Sequence, residues 1–338
     1  MIVEMRTGAT KKEVDDVVRK AKSLNLGVQL NLGTDKTVVA LLGSNTGQIP
    51  TDIFAVLPGV ESVTRIMKPY KLASREFQPK NTKVICGGVE IGGERIVVIA
   101  GPCAVESETQ LMEAAAAVKK AGASIMRGGA FKPRTSPFSF QGLQKKGLEL
   151  LAKAREKFGM PVVTEVVNPQ DVELVASYAD MLQIGSRNMQ NFPLLTNAGK
   201  SRRPVVLKRG FSCTITEWLT AADYLLAEGT NQVILCERGI RTFEDSIRFS
   251  LDISAIPVLK RNSHLPVIVD PSHAAGHYTL VPAIAKAAVA AGADGLLIEV
   301  HPNPKEALVD GLQSLSTSDF TRLMEELRVI AKSVGRYI

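Results

Sequence analysis

The stretch Ile96-Val97-Val98-Ile99-Ala100-Gly101-Pro102-Cys103, followed after a helix-length interval by Ser124-Ile125-Met126-Arg127-Gly128-Gly129-Ala130-Phe131-Lys132-Pro133-Arg134-Thr135-Ser136-Pro137, decides the fold. Two short apolar runs end in reactive residues and lie about one βαβ unit apart. The same rhythm continues to the end of the chain. Strand candidates are Ile96–Ala100, Ser124–Arg127, Pro161–Val166, Met181–Gly185, Pro204–Lys208, Gln232–Cys236, Pro266–Asp270 and Gly295–Val300, each followed by helical sequence. Ala-Gly-Ala at 121–123 and again at 291–293 closes a helix just before a strand. Eight such units over residues 84–338 match the ~250 residues typical of a (β/α)₈ barrel. A doubly wound open sheet is the alternative, but no Gly-x-Gly-x-x-Gly follows the first strand. The fold class is therefore α/β, a (β/α)₈ (TIM) barrel.

Upstream, residues 1–67 make a pattern of their own. Thr10 and Glu13 have capping-box spacing. Val14, Val17, Val18 and Ala21 recur at helical spacing, with Gly27 expected to end that helix. Strands are expected at 2–5, 28–32, 37–42 and 60–67, and a short helix at 51–57. The order βαββαβ is that of a small ferredoxin-like α+β domain. No catalytic cluster lies within it, which suggests a regulatory or assembly module. Residues 68–83 read as a polar, extended linker. Val84-Ile85-Cys86-Gly87-Gly88-Val89-Glu90-Ile91 reads as a β-hairpin plugging the near end of the barrel.

Composition narrows the function classes. Aromatics at 5% leave no stacking platform for single-stranded nucleic acid. The net charge of +7 comes without a basic arm, the clusters at 119–120, 145–146 and 200–203 being short. Four cysteines with no CxxC pair read as reduced thiols, and no apolar run approaches membrane-spanning length. A cytoplasmic protein without nucleic-acid or membrane partners is expected.

Barrel active sites lie at the carboxyl ends of the strands. Here those ends carry Cys103, Arg127, Glu165, Arg187, Lys208, Arg238, His273 and Glu299. Barrel closure makes strands 7, 8 and 1 neighbours, which brings His273, Glu299 and Cys103 together, and Asp310 in the last loop is within reach. Taken singly, Cys103 reads as a small core residue, His273 as a loop histidine and Asp310 as a turn residue. Jointly they suit one divalent ion of the manganese, iron, cobalt or zinc class. Strand parity aims Arg187 inward and places His301 near the metal. Arg127, Lys132, Arg134, Arg187, Lys208 and Arg238 put six cations around one mouth. Phosphoryl groups carry about −1.5 to −2 each, so two phosphates and a carboxylate nearly balance them. Two anionic substrates are expected, with Arg209 and Arg241 directed away or paired with carboxylates.

Several motifs together resemble 3-deoxy-D-arabino-heptulosonate-7-phosphate (DAHP) synthases of the form with an amino-terminal ferredoxin-like domain. They are Gly101-Pro102-Cys103, Arg127-Gly128-Gly129-Ala130, Lys132-Pro133-Arg134-Thr135-Ser136, Gln183-Ile184-Gly185-Ser186-Arg187-Asn188, Leu207-Lys208-Arg209-Gly210, Cys236-Glu237-Arg238-Gly239 and Asp270-Pro271-Ser272-His273. The resemblance implies metal-dependent condensation of phosphoenolpyruvate with erythrose 4-phosphate, the first step of the shikimate pathway. It implies Cys103, His273, Glu299 and Asp310 as metal ligands. It assigns Arg127, Lys132, Arg187, Lys208 and Arg238 to phosphoenolpyruvate, and Arg134, Thr135 and Ser136 to the sugar phosphate. Lys132, with Cys103 and His273, is expected to take part in the chemistry, Lys132 as a proton donor. Where many relatives carry Ala, this chain has Ser186. A tyrosine or phenylalanine effector on the amino-terminal domain and a homotetramer are also implied. The sister octulosonate-phosphate synthases, which use arabinose 5-phosphate, characteristically have Ala-Asn where Pro133-Arg134 stands here. A Schiff-base aldolase using Lys208 and a non-catalytic sugar-phosphate sensor are the rivals of other classes.

Overall fold

The computed structural model describes all residues except 33–35, 44, 66–67 and 134–135. The chain forms two compact units, one of residues 1–80 with 262–264, the other of 81–261 and 265–338.

In the first unit, strands β1 (Ile2–Met5), β2 (Gly27–Leu32), β3 (Thr37–Leu42) and β4 (Val60–Thr64) form an antiparallel sheet in the order β2-β3-β1-β4. With helices Lys11–Ser23 and Asp52–Ala55 this is the expected ferredoxin-like arrangement. The Thr10 hydroxyl accepts the Glu13 N–H at 3.3 Å while the Glu13 carboxylate accepts the Thr10 N–H at 2.6 Å, closing the capping box. Val3, Met5, Val17, Leu41 and Phe54 pack beneath the sheet. One expectation fails locally. The helix ends at Ser23, Asn25 takes the left-handed turn at φ +55°, and Gly27 opens β2 instead of stopping the helix.

Residues 68–80 are not extended. Tyr70, Leu72, Ala73 and Phe77 are buried, and Ser74 bridges Ser263. His264 Nε2 donates to the Leu72 carbonyl at 2.8 Å, and burial pulls its pKa down to about 4, so the ring is neutral. The apolar spacing in this segment was masked by its lysines and prolines.

The second unit opens with the hairpin β5 (Val84–Cys86) and β6 (Val89–Ile91). Its turn glycines, Gly87 and Gly88, sit at φ +51° and +86°, the positive pair that a tight hairpin turn demands. The strands that follow, β7 (Val97–Gly101), β8 (Ile125–Arg127), β9 (Val162–Glu165), β10 (Met181–Ile184), β11 (Val205–Lys208), β12 (Val233–Glu237), β13 (Val267–Val269) and β14 (Gly295–Glu299), close into a parallel barrel. Six strands begin one residue after the expected start, and in three of them the residue left out is a proline, Pro161, Pro204 or Pro266, which has no N–H for the ladder. The carbonyls of these prolines still accept from Met126, Leu182 and Leu235 at 2.8–2.9 Å.

Ile99, Ile125, Val163, Met181, Val206, Ile234, Ile268 and Leu297 fill the interior together with Val84, Cys86 and Ile91 of the hairpin. The amino end of the barrel is thus a closed apolar core, and chemistry is left to the carboxyl end. No helix among the described residues is long and apolar enough to cross a membrane.

Candidate active site

Register puts one corner of the site together. Glu299 pairs with Gly101, so the last residue of β14 lies beside the Gly101-Pro102-Cys103 turn. Gly101 adopts φ +152°, and a Cβ there would lie 2.1 Å from the Arg127 carbonyl oxygen, so this approach of β7 to β8 needs glycine. His273 rides on the short helix Pro271–Ala275 after β13. Asp270 caps that helix, accepting the His273 N–H at 2.9 Å, and its other oxygen accepts from His273 Nδ1 at 2.7 Å. That bond fixes the tautomer and turns Nε2 toward the cluster.

His273 Nε2 is 3.6 Å from Glu299 Oε1 and 3.7 Å from Asp310 Oδ2, and Cys103 Sγ is 3.4 Å from the same Asp310 oxygen. The donor atoms of Cys103, His273, Glu299 and Asp310 all lie within 4.8 Å of one another. Two donors about 2.1 Å from one ion and a tetrahedral angle apart sit roughly 3.4 Å from each other, so the spacing fits a single divalent ion. One sulfur, one imidazole and two carboxylates also suit the borderline transition metals.

The corner is electrostatically dense. Arg127 Nη1 donates to Glu299 Oε1 at 2.6 Å, both side chains being almost fully buried. Burial alone would push the Glu299 carboxyl up, but His273 and Arg127 outweigh it and hold it well below the usual carboxylate range. Lys208 donates to Asp270 at 2.5 Å, and His273 and Lys208 likewise hold Asp270 low against its burial. Lys132 Nζ lies 3.1 Å from both the carbonyl and the sulfur of Cys103. Burial, reinforced by Glu299, pushes the Cys103 thiol up, so metal binding there must displace a proton.

Across the cavity the cations are placed differently. Arg238 is buried with Cζ 4.0 Å from the Phe249 ring and 4.9 Å from Phe211, the two rings stacking 5.0 Å apart. Its Nη1 has no hydrogen-bond partner among the described residues, and burial lowers its pKa to about 10. Arg187 is exposed, 5.3 Å from Phe211. Glu165 accepts from Gln183 Nε2 at 3.2 Å, and a side chain at Gly185 would strike its Oε1.

Arg127, Lys132, Glu165, Arg187, Lys208, Arg238, His273 and Asp310 line one cavity, joined by Phe211, Arg248 and Phe249, which sequence reasoning did not single out. Arg134 and Thr135 lie outside the described residues. Ser136 is not among the lining residues; its hydroxyl accepts the Phe138 N–H at 3.3 Å within its own turn. Arg209 turns away to Glu237 and Asp252, 2.9 Å from each. His301 sits with Glu106 at 3.3 Å. Asp270 was legible only as part of a motif; its signal is the Asp-Pro-Ser-His spacing, an N-cap three residues before the histidine.

Residues 72–333 match the model described as DAHP synthetase I family. The chain belongs to that family. Residues 1–68 match a second model, the DAHP synthase ferredoxin-like domain. A phospho-2-dehydro-3-deoxyheptonate aldolase of Thermotoga maritima is 49% identical over 99% of this chain and 99% of its own length. The crystal structure of a Thermotoga maritima enzyme of that name superposes with a TM-score of 0.79 at 48% identity, covering 99% of this chain and 98% of that one. A 2-dehydro-3-deoxyphosphooctonate aldolase of Nitratidesulfovibrio vulgaris is 34% identical over 70% of this chain and 92% of its own length. As a DAHP synthetase I family member, this chain is an aldolase-type enzyme that forms a carbon–carbon bond.

Proposed function

We propose that the enzyme condenses phosphoenolpyruvate with erythrose 4-phosphate and water to give the seven-carbon 3-deoxyheptulosonate 7-phosphate and inorganic phosphate, the entry step of the shikimate pathway. One observation carries the reading: four potential ligand atoms cluster at the same mouth as the buried Arg238, whose Nη1 has no hydrogen-bond partner among the described residues. Arg238, Arg187 and Lys208, with Arg127 and Lys132, hold the phosphate and carboxylate of phosphoenolpyruvate. Cys103, His273, Glu299 and Asp310 would hold a divalent ion, whose chemistry there would be Lewis-acid polarisation of the aldehyde. Carbon 3 of phosphoenolpyruvate bonds to the aldehyde carbon while Lys132 gives a proton to the aldehyde oxygen. Burial pulls the Lys132 pKa down, but Cys103 and Glu165 outweigh it and raise it, so this group is charged and acts as an acid. Glu165, steadied by Gln183, orients the water that adds at carbon 2; one of that water's protons restores Lys132 and the other leaves with the phosphate as the carbon–oxygen bond to phosphate breaks and the carbon 2 ketone forms. Arg134, Thr135 and Ser136 are assigned to the sugar phosphate.

Phosphoenolpyruvate consumption tests this with erythrose 4-phosphate or arabinose 5-phosphate, with and without a chelator. Turnover only with the four-carbon sugar, abolished by chelator and restored by manganese, is expected. Preference for arabinose 5-phosphate would move the chain to the octulosonate reaction, and chelator-resistant turnover with borohydride labelling of Lys208 would replace the metal mechanism.

The ferredoxin-like domain of residues 1–67 is proposed to bind tyrosine or phenylalanine and to restrain the barrel within a homotetramer. Inhibition of the full-length chain by either amino acid, together with light scattering at tetramer mass, is expected. Absence of inhibition leaves the domain an assembly module.

A further inference from the structure

Outside the four ligands, a second set of contacts ties them to one another. Gln313 is buried, 1% exposed, in the loop after β14. Its amide Nε2 donates to Glu299 Oε2, the oxygen opposite the one facing His273 and Arg127. Its Oε1 accepts from Arg248 Nη1 at 2.5 Å. The same Arg248 nitrogen donates to Asp310 Oδ1 at 3.1 Å, again the oxygen opposite the one facing Cys103 and His273. Glu299, Gln313, Arg248 and Asp310 therefore form one continuous chain that engages the outward oxygen of each carboxylate and leaves the inward one turned to the cluster, where Glu299 Oε1 meets Arg127 and Asp310 Oδ2 meets Cys103.

Arg248 is itself tied to the histidine. Its N–H donates to the Ala275 carbonyl at 3.4 Å and the next N–H, of Phe249, donates to Ala274 at 3.0 Å, on the short helix that carries His273. Gly276 permits this approach, since at φ +71° a Cβ there would lie 2.4 Å from the Arg248 Cβ.

We propose that Gln313 and Arg248 are positioning residues that hold Glu299 and Asp310 in the rotamers a divalent ion requires, so that these two carboxylates and His273 are set before the metal arrives. An amide suits the central position because it donates to one carboxylate while accepting from the cation that serves the other. A carboxylate there would repel Glu299, and a hydrocarbon would leave both neighbours unfixed.

The inference rests on the metal reading above, and the test separates the two. Cobalt dissociation constants are measured by competition with a chromophoric chelator on the full-length wild type, Gln313→Met, Arg248→Met, Arg248→Lys and the Met/Met double variant. Losing support of this kind weakens metal binding by about 10- to 100-fold. Each Met variant should fall in that range, the double variant should lose no more than the weaker single, and Arg248→Lys should recover part of the loss. A merely structural role would lower the unfolding midpoint of the metal-free chain instead, which Arg248→Met, at a half-exposed position, should leave in place. With cobalt saturating, the KM of Gln313→Met for phosphoenolpyruvate should equal that of wild type, because Gln313 is not among the residues lining the cavity.

Unchanged cobalt affinity in both Met variants overturns the inference while wild-type binding leaves the metal site standing. A raised substrate KM in Arg248→Met with unaltered cobalt affinity makes Arg248 a substrate contact and also overturns it. Failure of the wild type to bind cobalt overturns the metal reading, and the inference with it.

Discussion

At the corner formed by Cys103, His273, Glu299 and Asp310, Arg127 faces Glu299 and Lys208 faces Asp270. On the opposite wall Arg238 is buried against the stacked rings of Phe211 and Phe249 and makes no ion pair among the described residues. Both sides carry a buried cation. The corner is balanced from within, so its charges belong to the folded state. The wall holds a buried guanidinium with no ion pair among the described residues, and a buried unpaired charge opposes folding. Such an arrangement persists where an anion from outside completes it.

The contrast breaks most visibly at Glu299. Glu299→Gln leaves Arg127 buried without its anion, and removing one partner of a buried pair costs about 3–5 kcal/mol. Urea unfolding of the metal-free variant should show a loss of that size. Arg238→Met should go the other way. With no internal anion to strand, its stability should match or exceed wild type. Its kcat/KM for phosphoenolpyruvate should fall by about 2–5 kcal/mol, roughly 30- to 5,000-fold. Equal destabilisation by the two substitutions would erase the distinction between corner and wall.

Acid sharpens the same difference. Asp270 and Glu299 are held below the usual carboxylate range, so between the folded and unfolded values the unfolded chain binds more protons. Their contribution is complete above about pH 4–5 and drains as pH falls below it, at roughly 1.4 kcal/mol per pH unit for each group. Urea midpoints from pH 6 down to pH 3 should fall steeply for wild type and for Arg238→Met, and less steeply for Glu299→Gln. A slope unchanged in Glu299→Gln would remove that carboxylate from the acid response.

The corner was far more legible in the sequence than its supports. Strand periodicity and barrel closure are enough to bring Cys103, His273 and Glu299 together, because each sits at or just beyond a strand end whose neighbours are fixed by chain order. The amino-terminal βαββαβ order was legible for the same reason. Arg248, Phe249 and Gln313 are different. They lie in loops after β12 and β14 whose paths no periodicity specifies, and their roles depend on which oxygen of a distant carboxylate they meet. Phe211 and Phe249 carry no charge or motif that singles them out, and only the fold stacks them against Arg238. The buried packing of 68–80 was hidden similarly, since Tyr70, Leu72 and Phe77 are spaced among polar residues with no regular period.

Ser186 extends the wall's logic to its smallest member. Its hydroxyl is buried, lines the cavity and has no hydrogen-bond partner among the described residues. It stands first in the 3₁₀ turn Ser186–Asn188, immediately before Arg187. An unsatisfied buried hydroxyl destabilises by about 1–3 kcal/mol, so Ser186→Ala should hold or raise the unfolding midpoint of the ligand-free enzyme. If the phosphate of phosphoenolpyruvate accepts this hydroxyl, the same substitution should raise KM by about fivefold, the equivalent of roughly 1 kcal/mol, with kcat nearly unchanged. The two readouts move in opposite directions only when the missing partner is the substrate. A lowered midpoint with unaltered KM would mean that Ser186 serves the fold, and would confine the incomplete wall to Arg238 alone.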